Sequence, residues 1–285
     1  MPNNNILDAI MNIVESESFN IDSIDNPYNM NNSVGCALED YVKDAFAGIL
    51  GDFNIVERGE RHSEIFSYFG SFNNLPKMII KGGDAIEVKR IESEDSDIDL
   101  DASYPKNKLY SNSQALDKAC KDCENWEEKD IIYVTGYVEG STLSSISFVY
   151  GENYAASSES YERAKALIAE RINAIAEVTP VKTGELGVVD RVDPLGITYM
   201  RINGSWHIAN PMKVLRGIYQ KNEEADFNLM ALISKTKYNS FPDDDIKLFE
   251  DFVGANEGLS IEDVKMHNPD NPARLIDVKL IKYYV

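Results

Sequence analysis

The run KGGDAIEVKR, Lys81–Arg90, decides how this chain is read. Gly82 and Gly83 supply a tight turn, and the short apolar run KMII before them supplies a strand to pair with DAIEVKRI after them. Met78–Ile91 therefore reads as a β-hairpin. A three-residue loop at Lys81–Gly83 sets residue 80 opposite 84 and residue 77 opposite 87. Strand side chains alternate faces, so Glu87 and Lys89 share one face and Val88 takes the other. Ala85, Ile86, Val88 and Ile91 make the flanks apolar. Burying a carboxylate and an ammonium there is costly unless they pair or hold a cation. Carboxylate, backbone carbonyl and water are the hard oxygen donors that Mg2+ takes, and a lysine two residues on can orient an attacking water at a phosphodiester. The competing reading is a half-exposed strand with a salt-bridged edge.

Outward from the hairpin, the pattern is mixed α and β. NILDAIMNIVE places Ile6, Ile10, Ile13 and Val14 on one helical face. Residues 19–32 read as a loop, after which Ser33 caps a helix carrying Val34, Leu38, Tyr41, Val42, Ala45, Phe46 and Ile49. EIFSYFGSF (Glu64–Phe72), DIIYVTGYV and SSISFVY read as strands, about Ser113–Glu128 as a helix, and SESYERAKALIAERINAIAEV as an amphipathic helix. GITYMRINGSWHI reads as a hairpin turning at Asn203-Gly204, with Arg201 beside Trp206 and Met200 facing His207. The C-terminal third reads as short helices and loops ending in the strand DVKLIKYYV. One domain over 1–285 is the simplest account.

Composition is ordinarily globular, with no apolar run long enough to span a bilayer. MPNNNILDAI lacks the basic start of a signal peptide, so a cytoplasmic protein is expected. Three cysteines argue against a disulfide framework; Cys120 and Cys123 read as reduced thiols rather than half of a zinc site. A net charge of −20 taken alone argues against nucleic acid. The acids are uneven, however. ESEDSDIDLD, Glu92–Asp101, holds six of them, while basic residues gather in PKNKLY and in Arg191–Arg216. A local basic cleft is compatible with that distribution.

GGDAIEVKRIES, SYPKNKLYS, CKDCENWEEKDIIYVTGYV, RVDPLGITYMRINGSWHI and VGCALEDYVKDAF together resemble the NgoPII family of type II restriction endonucleases, in order from about residue 5 to about 220. The resemblance implies the PD-(D/E)xK nuclease fold, a mixed sheet flanked by helices, and Mg2+-dependent cutting of duplex DNA. GGCC specificity is implied by the family alone. The core then spans about 33–175, with DNA-recognition and C-terminal elaborations over about 176–285. Glu87 and the Val88 carbonyl become metal ligands and Lys89 the water-orienting group, with Asp84 as a further catalytic and metal candidate and Glu39 as a metal candidate from the first core helix. Glu64 is another possible donor. The family pattern carries Pro-Asp upstream of the glycines; this chain has NNLPK, so Lys77 stands where the first acid is expected.

DNA contact is expected from Tyr104, Lys106 and Lys108, and from Arg191, Arg201 and His207, because cations hold phosphate and arginine reads guanine in the major groove. Tyr110 belongs to the same segment. A palindromic site implies a homodimer. The rival reading keeps the scaffold and DNA binding but loses cleavage through Lys77; a weaker one has the fold acting on RNA or a branched junction.

Overall fold

The computed structural model describes residues 4–21, 30–51, 54–71, 75–100, 103–174, 178–179, 186–189, 192–195 and 197–285. The first half contains α1 (Ile6–Ser16), α2 (Met30–Ala47), α3 (Ile55–Ile65), β1 (Phe66–Phe69), β2 (Met78–Ile80), β3 (Ala85–Ile91), β4 (Asp97–Asp99), β5 (Lys108–Tyr110), α4 (Lys118–Asp122) and β6 (Glu128–Glu139). Then follow β7 (Thr142–Tyr150), α5 (Gly151–Tyr154), α6 (Ser158–Asn173), β8 (Val178–Thr179), β9 (Gly187–Val189), β10 (Met200–Ile202) and β11 (His207–Ala209). The chain finishes with α7 (Pro211–Val214), β12 (Asn228–Ser234), α8 (Lys235–Tyr238), α9 (Asp243–Ala255), β13 (Ser260–His267) and β14 (Leu275–Tyr284).

A large mixed sheet runs in the order β1-β2-β3-β6-β7-β12-β14-β13, with β5 on the start of β6. The β3–β6 and β7–β12 pairs are parallel; the other pairs along this path are antiparallel. Period-2 alternation fills both faces. Ile132 and Val134 of β6 join one core with α1, α2 and α9, while Ile131 and Tyr133 join another beside Cys120 of α4. In β12, Leu229, Ala231 and Ile233 face the first core, and Met230 and Leu232 a third one with Met212 of α7. The sheet is thus flanked by helices on both sides. Among the described residues, no helix is long and apolar enough to cross a membrane.

The expected hairpin is present. Met78 pairs with Ile86, Ile80 N–H donates to the Asp84 carbonyl at 3.0 Å, and Gly82 takes φ +66°, a left-handed conformation that glycine adopts without strain. The α1 stripe is also as expected, behind an Asn5 cap that accepts from Leu7 N–H at 2.8 Å. The α6 helix is present, but none of its residues is buried.

Other readings are corrected. The second helix starts at Met30, so Ser33 lies inside it. Glu64 ends a helix, not a strand, and pairs with Arg61 at 2.8 Å on the surface. The helix expected over 113–128 is only Lys118–Asp122. The Asn203-Gly204 hairpin does not form: β10 pairs with β9, and β11 with β4. Trp206 and Ile208 pack against Ile91, Ile98 and Leu100, and that burial outweighs the local turn preference. The C-terminal third is not mainly helix and loop, since β12, β13 and β14 all join the main sheet. β12 is buried throughout, and such a continuous apolar run carries no period that marks a strand.

Candidate active site cleft

The cleft is built on β3. Ala85 packs into the core beside Tyr133, and the next residues on that face, Glu87 and Lys89, come out into a cleft of 360 Å³. Its opposite wall is the segment Ser103–Ser113, including Tyr104, Lys106, Lys108 and Tyr110. The expected pair and the expected basic segment therefore share one cavity.

Glu87 is only 2% exposed. Lys89 Nζ lies 3.4 Å from its Oε1, while its Oε2 is buried with no hydrogen-bond partner. Burial pushes the carboxyl up to about 7, against the pull of the Lys89 and Lys77 ammonium groups and with a small push from Glu39. At neutral pH this group is near its midpoint, so it exchanges a proton readily.

Lys77 is 6% exposed. Its N–H donates to the Ile86 carbonyl at 2.9 Å, and its Nζ donates to the Ser71 carbonyl at 3.2 Å. Its charge is felt at Glu87, but the β2–β3 pairing ends at Met78 and Ile86, so the expected pairing of residue 77 with residue 87 lies beyond the paired residues. Carbonyls two residues apart on a strand point the same way. The Val88 carbonyl therefore follows that of Ile86 toward the β2 edge, beyond the last residue that β2 pairs. Glu39, on α2, is close enough to influence Glu87, but its Oε1 pairs with Lys43 at 3.0 Å.

Asp84 does not join them. It is three residues from Glu87 and points to the other face. There Tyr150 OH donates to it at 2.6 Å and Lys237 Nζ lies 2.7 Å away, shared with Asp130 at 2.7 Å. Burial pushes its carboxyl up while Lys237 and Tyr150 pull it down. This buried network holds α8 against the starts of β3 and β6.

The cationic wall is unequal. Lys106 stands over the Tyr104 ring, 3.3 Å from its centre, and burial brings its ammonium down to about 8. Lys108 is held by Glu128 and Asp130, mainly by its hydrogen bond to Glu128, which raises its pKa. Tyr104 stacks on Tyr161 at 5.2 Å and meets Trp206 edge-on at 6.0 Å. Burial, then the Glu162 carboxylate, pushes its phenol up to about 12. Arg201 and His207 are exposed on β10 and β11, outside the cleft lining. Arg191 lies outside the described residues. Elsewhere in the basic Arg191–Arg216 segment, Lys213 pairs with Asp97 at 2.9 Å and Arg216 with Asp95, so part of its charge answers the acidic run.

Two residues that sequence reasoning missed hold this wall in place. Tyr133 lies beside Glu87 in the β3–β6 register. Its OH accepts from Lys106 N–H at 2.7 Å and donates to the Lys106 carbonyl at 3.2 Å. Strand alternation was the available signal, since Tyr133 falls on the face of Ile131. Gly151 is the second: a Cβ there would lie 2.5 Å from the Lys106 carbonyl oxygen and 2.6 Å from that of Asn107. Gly151→Ala is expected to displace the wall, costing about 1–3 kcal/mol of stability and weakening DNA binding. Urea melts with anisotropy titrations check this; an unshifted melt with unchanged affinity would show that the wall yields freely.

Cys36, Cys120 and Cys123 are free thiols. Among the described residues, no three His, Cys, Asp or Glu side chains gather to hold a metal.

A mixed sheet with helices on both faces is compatible with the architecture that the sequence resemblance leads one to expect. The chain belongs to the NgoPII restriction endonuclease family, whose model matches residues 4–267. It is similar to the Type II restriction enzyme NgoPII of Neisseria gonorrhoeae, 45% identical over 282 residues that cover 99% of this chain and all of the relative. No solved structure matches it.

Proposed function

We propose that the protein is a type II site-specific deoxyribonuclease of the PD-(D/E)xK kind, acting on a short palindrome in duplex DNA, GGCC by family resemblance. The observation that carries this reading is Glu87 and Lys89 side by side in a cleft walled by Tyr104 and Lys106, in a chain of this family. A homodimer matches a palindromic site, and a cytoplasmic location suits an enzyme that meets DNA. Glu87 and Lys89 act at the scissile phosphate, and Lys106 with Tyr104 holds the backbone.

The family chemistry uses Mg2+. The donors available to it here are Glu87 Oε2 and the Val88 carbonyl, with Glu39 tied to Lys43 and Asp84 to Lys237. Lys77 stands beside them as a buried cation. Mg2+ releases its waters only to strong anionic donors, so the set as it stands does not fit the ion. Cleavage is accordingly impaired in this chain while DNA binding is kept. The second reading, a sequence-specific DNA-binding protein without activity, rests on the same lysine. Incubation with plasmid DNA with and without Mg2+, followed by sequencing of the ends, tests both. Efficient cutting at a defined palindrome supports the enzyme and overturns the impairment assigned to Lys77, slow cutting there supports both, and intact plasmid with specific binding supports the second reading.

Phosphate contact is testable at the wall. Lys106→Ala is expected to weaken DNA binding and flatten its salt dependence, and Lys108→Ala to do much less because Glu128 and Asp130 hold that ammonium. Affinity of the unmodified protein should also fall as pH rises through about 8, where Lys106 loses its proton. Equal affinities for Lys106→Ala and the parent at every salt concentration would remove this residue from the interface.

A further inference from the structure

Helix α6 runs for 16 residues and buries none of them. Arg163, Leu167, Glu170 and Ala174 recur at spacings of four, three and four, so they share one face, and all four are exposed. The surface beside that face is apolar too. Among the described residues, seven of the sixteen large apolar side chains left exposed lie within 167–200, Leu195, Ile197 and Tyr199 among them. This stretch adjoins α6, which packs against β8 and β9, while β10 pairs with β9. So much exposed apolar surface in one region marks a docking face.

Charge decides which partner fits it. The chain carries a net −20, so two copies repel over most of their surfaces. Residues 158–174 hold Glu159, Glu162 and Glu170 against Arg163, Lys165 and Arg171, and are neutral. A neutral helix exerts no net pull on phosphate, and it removes the repulsion between copies. The order of the signs goes further. Arg163 and Glu170 lie equally far from the midpoint between Ala166 and Leu167. Laid antiparallel about that midpoint, each Arg163 meets the partner's Glu170, and each Leu167 meets the partner's Ala166. A stripe that is its own complement when reversed is what a two-fold interface needs.

We propose that α6, with the apolar surface beside it, is the face on which two copies of this chain dimerise, the two helices crossing antiparallel at Ala166 and Leu167. This rests on the homodimer reading above and deepens it by naming the face. The placement suits the cleft. Ser158 at the start of α6 lines it, and Tyr161 stacks on Tyr104 of its wall at 5.2 Å. With a rise of about 1.5 Å per residue, the two Ser158 lie about 25 Å apart along the helix pair. One turn of duplex is about 34 Å long, so both clefts reach a single short site.

The test is sedimentation velocity on the full chain over a concentration series, with thermal melts to confirm that each variant is folded. The unmodified protein is expected to be a dimer of 32.0 kDa chains. Leu167→Asp should raise the dissociation constant roughly a hundredfold or more, because it sets two like charges at the two-fold axis. Arg163→Glu and Glu170→Arg should each raise it about tenfold. The double swap should return it to within about twofold of the parent, a recovery that requires these two positions to pair with one another. A folded Leu167→Asp that dimerises like the parent, or a double swap that stays weak, overturns the proposal and leaves the homodimer standing. A parent that is a monomer at every concentration overturns both. Anisotropy with a GGCC duplex is read on the same samples: a dimer that binds no duplex brings down the DNA reading, while the α6 variants still decide the interface.

Discussion

Lys77→Asp is expected to raise Mg2+-dependent cleavage by at least about a hundredfold over the unmodified chain, which cuts poorly on the proposed reading. The reason is charge. Lys77 is buried beside Glu87, and the substitution changes the local charge by two units where a divalent cation would sit. At an effective dielectric near 20, a unit charge about 4 Å away is worth roughly 4 kcal/mol. Solvent relaxation reduces that figure, yet even about 2.7 kcal/mol is a hundredfold in affinity. The variant should also gain thermal stability when Mg2+ is added, because two neighbouring carboxylates repel without it. Nicking rates on plasmid and melts with and without Mg2+ read both effects. Strong cutting by the unmodified chain would contradict the argument and point to Glu39 as the second acid, freed from Lys43.

The second large effect is expected at Glu87 and Lys89. In the Lys77→Asp background, Glu87→Ala or Lys89→Ala should lower cleavage by roughly a hundredfold or more, since on the proposed reading each removes a group that acts at the reacting phosphate. DNA affinity should persist, because the Lys106 wall and its Tyr133 seat remain. Glu87→Ala removes a buried anion from the cleft, so its affinity for DNA should equal or exceed that of the parent. Single-turnover cleavage together with anisotropy separates the two quantities. Undiminished cutting by either variant would place the chemistry elsewhere.

The two halves of the charged wall show why only part of the site was legible in the sequence. Lys106 and Lys108 read alike in PKNKLY, with the same spacing and the same aromatic neighbours. Lys108 is nevertheless claimed by Glu128 and Asp130 on the paired strand β6, whereas Lys106 stands over Tyr104 in the cleft. Asp84 tells the same story. Strand alternation already set it on the face opposite Glu87, but its capture by Lys237, 153 residues away, has no local trace. The Asn203-Gly204 turn was a sound local signal that lost to the burial of Trp206.

By itself the sequence determined the hairpin, its register and the shared face of Glu87 and Lys89. Those follow from two glycines and the period-2 pleat, which act within a few residues. The resemblance, not the sequence pattern, led one to expect an acid at position 77, where this chain has Lys77. The tertiary structure alone decided that Ser103–Ser113 closes over that face, that Tyr133 and Gly151 seat it, and that β12 and β14 complete the sheet. These depend on contacts between segments far apart in the chain. Their energy comes from buried area and from paired charges, neither of which is a property of any short stretch.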